Sequence, residues 1–217
     1  MAYLDPLRRI KHAWLRYLGR WDLKRAAKTA DLVTLKRMRK RLGIQLSGEE
    51  LAVVAQTILD RSQPRVLVFG TGKDSEFWYR VNRHGQTVFL EDDLDWIERA
   101  ARIVPHLRIL PVTYGTSVAN WESFLDDPSR WNQGRPAALD EEPWDVVLVD
   151  GPRGDTPEMP GRMKSIQWAS ELVALGGDIF VHDCNRHIES ACCDFFLSSF
   201  QRLDAPGRLR HYRRIAL

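Results

Sequence analysis

The residues able to do chemistry sit in a few short stretches. Asp150 closes "WDVVLVD", Asp183 closes "DIFVHD", and Asn185 follows two positions later in "VHDCNR". Two carboxylates and an amide converging on one point suit a hard or borderline divalent cation, or the deprotonation of a hydroxyl. His182 and His187 stand beside them as a base, a further ligand or, for His187, an acceptor contact. Asp183 and Asn185 equally suit the plainer task of capping the next helix. A second stretch, "VFGTGKDSEFW", puts Gly70 and Gly72 in a strand-to-helix turn where backbone can approach a ligand, with Asp74 and Ser75 opening the helix. It lacks the third glycine of a dinucleotide fingerprint. About twenty residues after the glycines, "TVFLE" ends at Glu91, where a carboxylate can accept from both hydroxyls of a ribose.

Glycine turn and acid together point to an adenosine-bearing cofactor. Without a pyrophosphate cradle, S-adenosylmethionine suits the site better than NAD. Its ammonium and sulfonium match the acids at the strand ends, Glu91, Asp150 and Asp183. Methyl transfer to oxygen is the chemistry that follows, an in-line attack needing a positioned hydroxyl and either a base or a Lewis-acid metal. The loop "DGPRGDTPEMPGRM" after the first aspartate is rich in turn formers and charge, and is costly to order unless something binds there. Arg153, Glu158 and Arg162 are expected to project from it over the acceptor. Arginine forks grip carboxylates, so an acidic sugar or other carboxylate-bearing acceptor is expected. The alternative is that Arg162 pairs with Glu158 and only shapes the loop.

The elements that must position these groups read as a parallel sheet. "RVLVFG", "TVFLE", "RILPVTY", "WDVVLVD" and "DIFVHD" are short and aliphatic or β-branched, separated by helix-length segments. Ligands of such sheets sit at the carboxyl ends of the strands, where every polar group of interest lies. Ser47 with Glu50 forms a capping signal for a helix just ahead of the first strand. Residues 126–142 are polar and turn-rich, and are expected to form an exposed insertion.

The 217 residues carry a net +3, but residues 1–41 hold thirteen Lys and Arg against three Asp, a net +10, which leaves −7 for the rest. The expected division is a basic amphipathic helical leader over 1–45 and a catalytic domain over 46–217. Leu7, Ile10, Trp14, Leu18 and Trp21 fall on one helical stripe. Such a helix either packs on its own domain or a second subunit, or lies on an anionic membrane surface or polyanion. No nucleic-acid reader motif accompanies the charge, so nucleic acid is not an expected partner. There is no apolar run of membrane-spanning length and no secretory signal, and the three cysteines form no disulfide framework. A cytoplasmic location, optionally peripheral to a membrane through the leader, is the expectation.

"VFGTGKDSEFW", "TVFLEDDLDWI", "WDVVLVDGPRG", "PEMPGRM" and "FVHDCNR" together resemble the successive motifs of the plant glucuronoxylan 4-O-methyltransferases, the polysaccharide-biosynthesis family that includes the irregular-xylem proteins. The likeness runs from about Leu46 to Arg210. It implies an α/β, class I (Rossmann-like) S-adenosylmethionine-dependent methyltransferase with a mostly parallel central sheet and helices on both faces. The implied reaction is methylation of the 4-hydroxyl of a glucuronic acid residue. By the same resemblance Gly70, Gly72 and Glu91 belong to the cofactor, and Asp150, Arg153, Glu158, Arg162, His182, Asp183 and Asn185 to the acceptor and the chemistry. The plant proteins resemble anchored Golgi proteins and carry a longer insertion before the fourth strand. A microbial, soluble relative is therefore expected, acting on a glycan, a lipid-linked precursor or a small molecule. The alternatives are an O-methyltransferase for a phenolic or carboxylic metabolite and a noncatalytic glycan-assembly factor.

Overall fold

The structure, a computed structural model, describes the backbone of residues 6–216 and the side chains of residues 17–216. Three helices come first: α1 (Pro6–Thr29), α2 (Leu32–Leu42) and α3 (Gly48–Leu59). Asp31 caps α2 by accepting from the Thr34 N–H, and α2 stops at Gly43, whose φ of +70° is one that glycine adopts without strain. The capping box forms as the sequence predicts, with Ser47 accepting from the Glu50 N–H and Glu50 accepting from the Ser47 N–H.

After Pro64 the chain alternates: β1 (Arg65–Phe69), α4 (Ser75–Val81), β2 (Gln86–Glu91), α5 (Leu94–Ile103), β3 (Arg108–Pro111), α6 (Trp121–Leu125), β4 (Trp144–Val149), α7 (Met163–Leu172), β5 (Val173–Val181), α8 (His187–Phe196), β6 (Gln201–Leu203) and β7 (Arg210–Arg213). The sheet order is β3-β2-β1-β4-β5-β7-β6. β1 to β5 run parallel, and β7 runs antiparallel to both β5 and β6.

Alternation along the strands splits the core into two layers. Leu67 and Phe69 of β1 join Ile166 and Trp168 of α7 and Cys192 and Cys193 of α8 on one face. Val66 and Val68 of the same strand join Leu51, Val54 and Ala55 of α3 and Phe77 and Trp78 of α4 on the other. That second layer also takes in Leu23, Ala26, Ala27 and Ala30 from the end of α1, and Leu35 and Met38 from α2. The alanines let α1 approach closely, and the buried Asp22 is paired with Arg41 at 2.6 Å. The buried stripe of α1 is thus rotated from the expected one: Leu18 is half-buried and Trp21 is 62% exposed, while Leu7, Ile10 and Trp14 lie outside the described side chains.

Residues 126–142 form the expected exposed insertion, anchored at one buried residue. They contain two short 3-10 turns, and Leu139 is fully buried. Buried Lys164 of α7 holds them down by donating to the carbonyls of Tyr114 (2.6 Å) and Gln133 (2.7 Å). No described helix is long and apolar enough to cross a membrane.

Candidate active site

A cavity of about 520 Å³ opens at the carboxyl ends of β1, β4 and β5, lined among others by Thr71, Gly72, Asp74, Asp150, Arg162 and Asp183. Two neighbouring strands must meet there, and two glycines permit it. Gly70 has φ +97°, and a Cβ on Gly151 would lie 2.7 Å from the Gly70 Cα. The Gly151–Pro152 peptide that follows is cis.

At the floor, His182 ties the ends of β4 and β5 together. Its Nδ1 lies 2.8 Å from Asp150 Oδ1 and its Nε2 lies 3.7 Å from Glu50 Oε2. Burial of the ring opposes its charge, but the carboxylates of Asp150 and Glu50 outweigh burial and raise its pKa to about 9. The ring is therefore an imidazolium at neutral pH. It is fully buried and lies behind Asp150, outside the cavity lining, which corrects its expected place as a base facing the acceptor. Glu50, also buried, is held down to about 2 despite its burial by His182 and by the N–H groups of Ser47 and Arg208.

Arg162 is likewise not on the loop surface as expected. It is buried and spends its guanidinium on the His182 carbonyl (2.5 Å), the Asp150 carbonyl (2.9 Å) and the side chains of Asp150 (3.2 Å) and Asp183 (2.9 Å). Asp183, with φ +60°, also meets Arg208 at 2.7 Å and Arg186 at 3.4 Å. Burial raises the cost of its charge, yet Arg162, His182, Arg186 and Arg208 keep its pKa below the usual carboxylate value. Asp150 is half-buried and lines the cavity.

Beside this floor lies the glycine turn. The Gly72 N–H donates to the buried Ser75 hydroxyl at 2.8 Å, and Asp74 accepts from the Trp78 indole N–H at 2.9 Å. Burial of the Asp74 carboxyl, then the nearby Asp150, push its pKa up to about 6. Glu91 is buried just behind the turn. Its Oε2 accepts from the Thr71 N–H and hydroxyl (2.6 and 2.7 Å), and its Oε1 from the N–H groups of Asp92 and Asp93 (3.0 Å each). A ribose donating to Glu91 has to share it with, or displace, Thr71.

Of the remaining expected residues, Arg153 lines the cavity and is exposed, 3.4 Å from Asp155. Glu158, Asn185 and His187 do not line it. Glu158 is exposed with no ion pair to Arg162, Asn185 is exposed in the turn before α8, and His187 packs edge-on against Trp121 at 5.5 Å. Nor do Asp183 and Asn185 cap α8, whose cap position is Arg186. Sequence reasoning missed Glu50 as a partner of His182, and missed Lys73, Trp96, Arg186 and Arg208, which line the cavity.

Asp150, His182 and Asp183 offer ligand atoms within 4.8 Å of one another. Asp183 Oδ1, buried and 2.7 Å from Arg208, is an oxygen that an ion would have to take over from that arginine. The group accepts a divalent cation only once Arg208 leaves that oxygen and His182 gives up its proton, because both now supply the positive charge an ion would bring.

Residues 49–212 match the family model described as IRX15/IRX15L/GXM. The chain belongs to this family. Among curated members of it in Arabidopsis thaliana, this IRX15/GXM-family chain is 36% identical to glucuronoxylan 4-O-methyltransferase 1 over 190 residues, covering 77% of this chain and 67% of the relative. It is 35% identical to arabinogalactan O-methyltransferase 2 over 194 residues, covering 77% and 66%. The chain spans about two thirds of the length of these relatives. Among solved structures, the methyltransferase MycE of the mycinamycin biosynthetic pathway, in complex with Mg, SAH and mycinamycin VI, superposes with a TM-score of 0.53 at 15% identity, covering 83% of this chain and 54% of that one. The fold of this family member is the α/β class I methyltransferase fold, its sheet mostly parallel with helices on both faces.

Proposed function

We propose that the chain is an S-adenosylmethionine-dependent O-methyltransferase whose acceptor is a uronosyl residue of a glycan, with the 4-hydroxyl of glucuronic acid as the position methylated. The observation that carries this reading is that a carboxylate able to take a hydroxyl proton, Asp150, lines the same cavity as four cations, Lys73, Arg153, Arg186 and Arg208, the last two gathered around Asp183.

Thr71 to Asp74 form the wall where the turn's backbone would meet the amino-acid end of the cofactor, with the Asp74 carboxyl available to its ammonium. Glu91 holds the Thr71 backbone and is the acid nearest a ribose. Asp150 orients the acceptor hydroxyl and takes its proton as the oxygen attacks the methyl group. The S–CH3 bond breaks as the O–CH3 bond forms, and S-adenosylhomocysteine leaves as a neutral thioether. His182, already protonated, serves by fixing the Asp150 carboxylate, and Arg162 locks both strand ends. Arg186 and Arg208 balance the acceptor's carboxylate.

A divalent cation on Asp150, His182 and Asp183 is a second form of the same reading, favoured by the close grouping of their ligand atoms. It would supply Lewis-acid activation of the hydroxyl.

The test is steady-state methylation of a glucuronoside and of the matching neutral glucoside, with and without EDTA. Arg186→Gln and Arg208→Gln are expected to raise KM for the glucuronoside about tenfold or more while sparing the neutral sugar. Equal effects on both acceptors would remove the uronate from the reading. Loss in EDTA restored by a divalent ion selects the metal form, and indifference to EDTA selects Asp150 alone.

A further inference from the structure

We propose that the cleft between α1 and α4 is a second binding tract, for an acidic glycan chain continuing away from the catalytic cavity. This deepens the reading of the acceptor as a uronic-acid glycan and rests on it. The cleft has a volume of about 410 Å³ and is lined by Lys24 and Lys28 on one wall and Tyr79, Arg80 and Arg83 on the other. Four cations line it and no acid does. Lys24 and Lys28 are exposed and have no ion pair or hydrogen bond among the described residues, whereas Arg80 is paired with Glu76 at 2.9 Å. Like charges gathered without counter-charges destabilise a surface unless an anion settles there.

Two features favour a sugar chain as that anion. Tyr79 gives the cleft a half-buried aromatic wall, and Trp21, 62% exposed, stands one turn before Lys24 on α1. Aromatic faces beside cations suit a chain that is carbohydrate in body and carboxylate in charge. The second feature is continuity. Lys73 and Asp74 rim the catalytic cavity, α4 starts at the next residue, and Arg20 of α1 meets Glu76 of α4 at 3.3 Å between the two sites. From Trp21 to Lys28 is about 10 Å along a helix axis, the reach of a short oligosaccharide. A flat anionic bilayer would rest on the ridges and leave the concave, cation-lined floor unfilled.

The experiment compares the full chain with the variant Lys24→Gln/Lys28→Gln/Arg83→Gln, none of which lines the catalytic cavity. Equilibrium binding is measured to a glucuronic-acid-bearing xylo-oligosaccharide, to the undecorated xylo-oligosaccharide, and to vesicles of phosphatidylglycerol in phosphatidylcholine. The expected result is about a tenfold loss of affinity for the acidic oligosaccharide in the variant, with the parent's advantage disappearing in high salt. Methylation of a single glucuronoside should be equal in both proteins. Equal affinity of parent and variant for the acidic oligosaccharide would overturn the proposal. So would a loss confined to vesicle binding, which would hand the surface to lipid. The titration reads binding alone, so a parent protein that methylates no glucuronoside would count against the proposed reaction and not against the tract.

Discussion

His182 Nδ1 lies 2.8 Å from Asp150 Oδ1, so the carboxylate at the end of β4 is held by an imidazolium at the end of β5. The folded-state pKa of His182, about 9, lies above its unfolded value of about 6.5. Its stabilisation is therefore complete below the unfolded value and is lost as pH rises through 9. Denaturant unfolding between pH 6 and 10 should show the native protein losing on the order of 3 kcal/mol more than His182→Gln does. Parallel pH curves for the two proteins would show that the ring is not charged.

The Asp178–His211 cluster should fail in the opposite direction. Asp178 is fully buried and meets His211 at 2.7 Å, Arg61 at 2.5 Å and Arg213 at 2.9 Å. Burial works against its charge, but these partners hold its pKa below the usual value. Its contribution is thus present above the unfolded carboxylate pKa and lost as pH falls through the lower folded one. Asp178→Asn should cost about 3 kcal/mol at neutral pH, because the buried carboxylate is the shared partner of His211, Arg61 and Arg213, and should leave KM untouched. Thermal unfolding together with steady-state kinetics separates the two effects.

Gly151→Ala should disable the site through the backbone. The new Cβ would sit 2.7 Å from Gly70 Cα and 2.9 Å from Gly70 N, neither of which is a flexible side chain. A loss of about 1–3 kcal/mol is expected, and the displaced Asp150 should lower activity beyond what the stability loss explains. Unchanged Tm and activity would mean that the two strand ends have more room than they show.

Removing residues 1–41 should yield a chain without a cooperative thermal transition. Leu23, Ala26, Leu35 and Met38 are each at most 1% exposed and share one core layer with Val66, Val68 and Phe89. The function of the basic leader is therefore accessible through surface charge substitutions and not through deletion. A truncated protein that unfolds cooperatively near the parent's Tm would contradict this.

The parallel strands were legible because β1, β2 and β4 are runs of β-branched or aliphatic residues buried on both faces, as is the second half of β5, while the exposed edge strand β3 still carries Ile109 and Leu110. β6 and β7 were not: "QRL" and "RHYR" are short and charged, and His211 and Arg213 become strand residues only because Asp178, distant in sequence, receives them. Asp150 and Asp183 were readable from their place at strand ends. Arg162 was misplaced because a charged residue in a Pro- and Gly-rich loop reads as surface, whereas the half-buried Asp150 and the buried Asp183 draw it inside. Glu50 carried a signal, but one fully explained by its cap on Ser47, and its other oxygen holds the Arg208 N–H from 158 residues away. Arg208 had no local pattern, since Asp183 collects it only in the folded chain, whereas Arg186 stands three residues from Asp183 and its spacing was a signal that went unread.

The most direct test of the central claim is transfer of a labelled methyl group from S-adenosylmethionine to a glucuronic-acid-bearing oligosaccharide, comparing the native protein with Asp150→Asn and locating the methyl on the product. The native protein should label O-4, and Asp150→Asn should bind the cofactor normally while kcat falls about 100-fold or more. Full turnover by Asp150→Asn, or cofactor binding by the native protein with no transfer to any uronosyl acceptor, would contradict the account.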